Sequence, residues 1–196
     1  MDKKLEQAFE LFDDYNRQDP ELVSYDGNTY PATYFYSLQL HNWIMNLMPS
    51  AGEALLLASR SQHIGRWESP RENYPPGKAG YYKWRTDLGR FHAEKAAGIL
   101  STLNYDAGII NEVKVIIRKE DIKGNEDVQA MENALCLVFL QFQYESFLEK
   151  YDDEKVIRIL QRSWAKMSEP GREAATTLSF QGRAKGLLEK ALQNTP

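Results

Sequence analysis

The chain has 196 residues, with 24 Lys and Arg against 28 Asp and Glu, so its net charge is −4 at pH 7. This acidic balance argues against a nucleic-acid binder with positive charge over its whole surface. No apolar run is long enough to span a bilayer, and the single cysteine, Cys136, cannot form an intramolecular disulfide. The length and the 42% hydrophobic content suit one globular domain over residues 1–196, which we expect to be soluble and cytoplasmic.

Hydrophobic periodicity predicts helices along most of the chain. The polar stretch between the first two helices holds the turn signals Asp19-Pro20 and Asp26-Gly27. Ser50 and Glu53 have the spacing of a capping box, while Asp106 and Asn125 are candidate N-caps. The predicted helices lie around residues 5–12, 32–48, 51–63, 81–103, 107–117, 126–151, 153–167 and 172–192.

The centre of the sixth predicted helix, residues 134–140, is apolar on every side. A helix without a polar face belongs in the middle of a bundle. We therefore predict an all-α, single-domain bundle of about seven to eight helices.

The segment 65–80 interrupts the helical pattern and contains Pro70, Pro75 and Pro76. Connections of this length in compact domains are usually functional or disordered. Trp67 and Tyr74 provide apolar area for burial, so we expect a functional loop that is packed against the bundle.

Basic residues are concentrated around this loop, since residues 60–95 hold eight bases and four acids. Arginine matches the geometry of phosphate and carboxylate groups, and the aromatic residues among the bases could stack on a ligand. The alternative is that the bases form surface salt bridges and the aromatic side chains hold the loop against the core. The candidate substrate-binding residues are Arg66, Trp67, Arg71, Lys78, Trp84 and Arg85.

Two histidines and one glutamate are predicted to point inward near the loop. His63 and His92 each lie on the apolar stripe of a helix, so we expect their rings to approach each other. Imidazole is both a metal ligand and an acid–base group. Glu132 enters a buried helix, where a carboxylate must be paired, protonated or metal-bound. We predict that Arg85 is buried and paired with Glu132, and metal binding by Glu132 is the alternative.

Several familiar sites are missing from the sequence. It contains no Gly-rich phosphate loop, no Cys–His cluster for zinc, no His-Glu-x-x-His and no Gly-x-Ser-x-Gly. Cys136 lies in the apolar helix, where a thiol is inert.

Several segments of the chain resemble the domain-of-unknown-function family four-two-zero-two, a bacterial and fungal family in which some members are labelled glutamyl-tRNA synthetase-like. The resemblance covers nearly the whole chain and implies no particular activity. The matching segments are residues 61–71, 74–75, 80–85, 91–93, 131–140 and 166–168.

This family is in turn distantly similar to the HD-type metal-dependent phosphohydrolases, which are helical bundles. That similarity implies an HD-like fold and a divalent metal, such as Mn, Fe, Ni, Zn or Mg. Thr86 and Asn133 depart from the HD pattern, because they stand where that pattern has a histidine and its last aspartate. The residues implied as metal ligands are His63, Asp87, His92 and, beside Asn133, Glu132, with Asp87 and Glu132 also implied in catalysis.

Two functions follow as expectations. The first is a metal-dependent phosphohydrolase that acts on a nucleotide or a small phosphorylated metabolite, with arginines that neutralise phosphate charge. The alternative is a non-catalytic module that binds an anion or nucleotide and has a degenerate metal site. In both expected functions the protein binds a small anionic or phosphorylated ligand and does not bind a membrane. The acidic remainder of the chain argues against broad nucleic-acid contact, and the pattern predicts no oligomeric state.

Overall fold

The computed structural model describes residues 3–193 and confirms the all-α prediction, apart from one small hairpin. The described residues form ten α-helices, more than the seven to eight predicted. They are α1 (Lys3–Asn16), α2 (Ala32–Leu47), α3 (Glu53–Ser61), α4 (Gly77–Thr102), α5 (Ala107–Arg118), α6 (Glu126–Val138), α7 (Tyr144–Lys150), α8 (Asp153–Lys166), α9 (Glu169–Thr176) and α10 (Gly182–Gln193).

The hairpin consists of two antiparallel strands, β1 (Leu22–Tyr25) and β2 (Asn28–Pro31). Asp26 and Gly27 form its turn with φ angles of 49° and 75°. Two positive φ angles are what a two-residue hairpin turn of type I′ requires, and Asp-Gly is a favoured sequence for it. The sequence predicted this turn but no strands, because four-residue strands that are largely exposed produce no apolar alternation.

Helix starts follow the predicted caps in two of three cases. The carboxylate of Asp106 accepts a hydrogen bond from the backbone N–H of Ile109, and the side chain of Asn125 caps α6. The predicted capping box at Ser50 is wrong, because α3 begins one residue after Gly52.

Helix α6 lies between the two hydrophobic clusters of the protein, as its apolar centre predicted. One cluster, formed mainly with the helices from α1 to α5, contains Val128, Ala130, Met131, Ala134 and Val138 of α6. Cys136 and Leu137 pack into the other cluster with α7, α8 and α10. A π-helical turn (Phe139–Gln143) links α6 to α7. The predicted helix over 126–151 is therefore continuous up to Lys150, but it contains one wider turn with more residues than an α-helical turn.

The last predicted helix, residues 172–192, is divided into α9 and α10 by a short non-helical segment over residues 177–181, directly before Gly182. Gly182 has a φ of 51°, a conformation that glycine adopts at low cost. The apolar spacing on either side of the break is helical, so periodicity alone did not reveal it.

The segment 65–80 is packed against the bundle, as expected. Trp67 stacks on Tyr15 of α1 with ring centroids 5.8 Å apart, and Lys95 of α4 is bonded to Glu68 at 2.9 Å. Helix α4 begins at Gly77, earlier than predicted. Gly80 permits this start, since a Cβ there would lie 1.9 Å from the carbonyl oxygen of Pro75.

Candidate functional site

A cleft of about 750 Å³ lies between the 65–80 loop and the helices α4, α6, α7 and α8. It is the place where most of the sequence-predicted site residues meet. Seven of the ten line it: His63, Arg66, Trp67, Arg71, Trp84, Arg85 and Glu132. Lys78, Asp87 and His92 are not part of its lining.

The two histidines form a close pair beside the cleft, which confirms their predicted approach. Their ring centroids are 5.9 Å apart and the planes meet at 69°. His63 faces the cleft, and His92 is buried behind it. The Nδ1 atom of His92 lies 2.7 Å from the carbonyl oxygen of Ile64, so Nδ1–H is the donor and Nε2 carries the lone pair. That Nε2 has no hydrogen-bond partner among residues 3–193.

Both imidazoles are neutral near pH 7. Burial lowers the pKa of His92 to about 4, and the positive charges of Arg66 and Arg85 act in the same direction. Burial also lowers the pKa of His63 well below its ordinary value, with further contributions from Arg66 and Lys119. A neutral imidazole can accept or donate one hydrogen bond in the cleft.

Glu132 is paired with two lysines, not with an arginine of the loop region. Its carboxylate lies 2.6 Å from Lys119 Nζ and 3.1 Å from Lys166 Nζ. Burial alone would raise the pKa of Glu132, but the two ammonium groups outweigh it and hold the pKa below its ordinary value. The carboxylate is therefore ionised and balances part of the lysine charge.

The predicted burial of Arg85 and its pairing with Glu132 are both wrong. Arg85 is exposed, because it lies at the solvent-exposed edge of the cleft that it lines. Lys119 was missed because it follows the last residue of α5 in a left-handed conformation with φ 57°, and no periodic pattern extends to it. Lys166 ends α8, a helix that is distant in sequence from the basic segment.

Arg66 and Arg85 have no carboxylate partner within the described part of the chain. Neither guanidinium forms a salt bridge or a side-chain hydrogen bond there. Arg66 lies over the ring of Trp84, 5.4 Å from its centroid. Burial lowers the pKa of Arg66, and repulsion by Arg85 lowers it further. Glu21 and Asp19, which also line the cleft, act on the pKa of Arg66 in the opposite direction, but neither forms a salt bridge with it. Two like charges thus share the cleft without a direct ionic partner among the described residues.

Three other predicted ligand-binding residues have structural contacts. Arg71 donates to the carbonyl oxygens of Tyr74 and Pro75 at 2.9 and 2.8 Å. The indole N–H of Trp84 donates to the carbonyl oxygen of Ser69 at 2.9 Å, and Trp84 is buried. One face of Trp67 is occupied by Tyr15. These contacts hold the loop in place. They agree with the alternative prediction, in which the aromatic side chains hold the loop against the core.

The predicted metal ligands do not form one group. Asp87 is bonded to Lys83 at 2.6 Å on the surface of α4, and Glu132 is held by lysines. Because α4 is continuous, Asp87 and His92 point about 140° apart. Within residues 3–193, no three or more His, Cys, Asp and Glu side chains are arranged to hold a metal ion. The four predicted ligands, His63, Asp87, His92 and Glu132, therefore do not fit a shared site for a divalent metal.

Asn133, which stands at the last aspartate of the HD pattern, has its amide engaged elsewhere. It donates to Ser168 Oγ at 2.7 Å and accepts from the backbone N–H of Ser168 at 3.0 Å. It thus anchors the start of α9. Cys136 is buried and its pKa is raised by burial to about 12, which agrees with an inert thiol.

Lys78, which was predicted to bind the ligand, is exposed and lies near the ring of Tyr82, outside the cleft lining.

None of the described helices has an apolar stretch long enough to cross a membrane.

Comparison with known proteins identifies one family. No curated protein and no solved structure matches the chain. The similarity to HD-type phosphohydrolases stays a prediction. The model of the family described as "Domain of unknown function (DUF4202)" matches residues 6–188, so the chain belongs to this family.

Proposed function

We propose that the cleft binds a small phosphorylated anion, such as a phosphorylated metabolite or a nucleotide. The observation that carries this proposal is the absence of a salt-bridge partner for Arg66 and Arg85 among residues 3–193, in a cleft that they share with three lysines, Lys119, Lys150 and Lys166. A phosphate group would neutralise them, and its geometry suits the planar guanidinium.

The charges around the cleft support an anion over a cation. Lys119 and Lys166 share the carboxylate of Glu132, so this end of the cleft has more positive than negative charge. Asp19, which also lines the cleft, is bonded to the backbone N–H and the hydroxyl of Thr33 at 2.9 and 2.5 Å. Its carboxylate oxygen thus accepts two hydrogen bonds from neutral donors, but it keeps its charge and acts on Arg66 from a distance.

Titration with inorganic pyrophosphate tests this proposal. Arg66→Gln and Arg85→Gln should each weaken binding about tenfold or more, because each removes a charge-assisted hydrogen bond. The melting temperature should hardly change, since neither side chain has an ionic partner to lose. Arg90→Gln is the matched control: it removes the same charge from an exposed position of α4 outside the cleft and should leave affinity within about twofold.

Equal weakening by Arg85→Gln and Arg90→Gln would show that only overall charge matters. Absence of pyrophosphate binding by the wild-type protein would also contradict the proposal.

Hydrolysis of the bound ligand is a second candidate, supported by the neutral imidazole of His63 in the cleft. Such an imidazole can take a proton from an attacking water. The candidate includes no metal-dependent step, because the predicted ligands His63, Asp87, His92 and Glu132 do not form one set around a common point. Phosphate release from p-nitrophenyl phosphate that is lost in His63→Asn would support it. Release that is unchanged in His63→Asn, or no release with or without added Mn²⁺ or Mg²⁺, would count against it.

A further inference from the structure

One side of the cleft is apolar, and we infer that the ligand carries an aliphatic or aryl body which lies on it. This apolar wall consists of Leu135, Phe139, Phe147 and Tyr151, all of which line the cleft. The inference rests on the proposed function and adds the chemical class of the ligand, an amphiphilic anion with a phosphate head.

The apolar wall begins one helical turn from the charged end. Leu135 follows Glu132 by three residues and Phe139 follows it by seven, so all three side chains lie on one face of the helix. A rise of 1.5 Å per residue places Leu135 about 5 Å and Phe139 about 10 Å along the helix axis from Glu132. A ligand whose phosphate lies near Lys119 and Lys166 would therefore extend its body over these side chains.

The π-helical turn brings the second half of the wall into line. In an uninterrupted α-helix, residues 139 and 147 would be rotated by about 80° from each other. The π turn accommodates about one extra residue and removes most of that rotation. Phe139 and Phe147 accordingly contact each other, with centroids 5.5 Å apart. Such turns are frequent at functional sites.

The shape of the wall favours an aliphatic or small aryl group over a nucleobase. Its rings meet at 81° for Phe139 and Phe147 and at 46° for Phe147 and Tyr151, so no two parallel faces enclose a flat base. Lys155 covers the ring of Tyr151 at 3.5 Å. Trp84 is buried and lies next to Arg66, so one of the two tryptophans predicted to stack on the ligand is not available for a flat base.

The exposure of the wall provides the driving force. Leu135, Phe139 and Phe147 are only partly buried, and Tyr151 is 37% exposed. A contiguous apolar surface beside a charged group is typical of a ligand site. A cleft of about 750 Å³ is also within the range of organic ligands.

Calorimetric titration with a series of alkyl phosphates measures how much the apolar wall contributes to the binding affinity. Affinity should rise from inorganic phosphate through methyl and butyl to hexyl phosphate, by up to about fourfold for each buried methylene. Over the full series we expect a gain of at least about tenfold, because part of the chain stays in water. Hexanoate, with the same body and a carboxylate head, should bind more weakly than hexyl phosphate.

Variants locate the effect on the wall. Phe139→Ala and Tyr151→Ala should each weaken hexyl phosphate binding several-fold and leave phosphate binding unchanged. Tyr151 is the more exposed of the two, so its variant tests the inference even if Phe139→Ala fails to fold. Tyr82→Ala is the control, since Tyr82 is 56% exposed and lies outside the cleft lining.

The outcomes separate this inference from the proposed function. If phosphate and hexyl phosphate bind equally well, the apolar body is rejected and anion binding stands. If AMP binds more tightly than hexyl phosphate, the body is a nucleoside and the inference is wrong. Hexanoate binding as tight as that of hexyl phosphate would reject the phosphate head. If none of the phosphates binds, the proposed function itself fails.

Discussion

Lys119 Nζ lies 2.6 Å from the carboxylate of Glu132, a side chain that is only 5% exposed. Lys166 reaches the other oxygen of the same carboxylate at 3.1 Å. Glu132 therefore sets the charge at this end of the cleft, and it links the ends of α5 and α8 to α6. Its replacement should act on stability and on anion binding in opposite directions.

Glu132→Gln should lower the free energy of unfolding by about 1–3 kcal/mol, because a buried charge-assisted bond is lost. Affinity for pyrophosphate should rise about tenfold, since the cleft gains one unit of positive charge. Urea unfolding and calorimetric titration measure the two effects. Glu154→Gln, at a side chain that is 88% exposed, should change neither. An unchanged affinity in Glu132→Gln would show that the lysines do not contact the anion.

The neutral histidines predict acid sensitivity. In the folded protein the pKa of His92 is lowered to about 4, whereas its ordinary value is about 6.5. Below pH 6.5 the unfolded chain binds a proton that the folded protein does not, so stability is lost as the pH falls from about 6.5 to about 4. For His92 alone the loss amounts to about 3 kcal/mol.

His92→Asn should be less stable than the wild type at pH 7 but should lose less stability on acidification. Urea unfolding between pH 4 and pH 8 measures the slope. Burial also lowers the pKa of His41 to about 4. His41 should therefore make a similar and separate contribution to the loss of stability at low pH, which His41→Asn should remove. A wild-type slope that His92→Asn leaves unchanged would mean that the pKa of His92 is not lowered in the folded protein.

Arg71 is predicted to stabilise the loop. Its guanidinium donates to the carbonyl oxygens of Tyr74 and Pro75, so Arg71→Ala should lower the free energy of unfolding by about 1–2 kcal/mol. Its effect on pyrophosphate affinity should be smaller than that of Arg85→Gln. Lys78→Ala, which removes an exposed charge from the start of α4, should leave both quantities unchanged. A large loss of affinity with unchanged stability would instead make Arg71 a direct ligand contact.

Gly171 is predicted to be intolerant of a side chain. A Cβ at this position would lie 2.6 Å from Cγ of Asn133, the residue that anchors α9. Gly171→Ala should therefore destabilise the protein by about 1–3 kcal/mol. Gly98→Ala is the matched control within α4, where a Cβ has no neighbour within 4 Å, and should stabilise by about 0.5–1 kcal/mol. A similar change of melting temperature in both variants would contradict the role of Asn133.

The helical architecture was predictable because it rests on local patterns. Each of these patterns acts within one or two turns of a helix. Examples are the apolar stripe of Leu5, Phe9 and Phe12, the caps Asp106 and Asn125, and the apolar centre of α6. Such patterns determine that a segment is helical and which face it buries. They also placed His63 and His92 on inward faces, so their approach was a consequence of two amphipathic helices that pack together.

The partners of the charged groups were decided by the tertiary structure. Glu132 is paired with Lys119 and Lys166, which lie at the ends of α5 and α8, and no spacing in the sequence relates these three positions. Arg85 was expected to be buried because apolar residues surround it in sequence, yet it lies at the solvent-exposed edge of the cleft. Asp87 and His92 are close in sequence but point in different directions on a continuous helix. Local order follows from side-chain periodicity, whereas ion pairing depends on which helix ends meet in space, and that is set by the packing of the whole bundle.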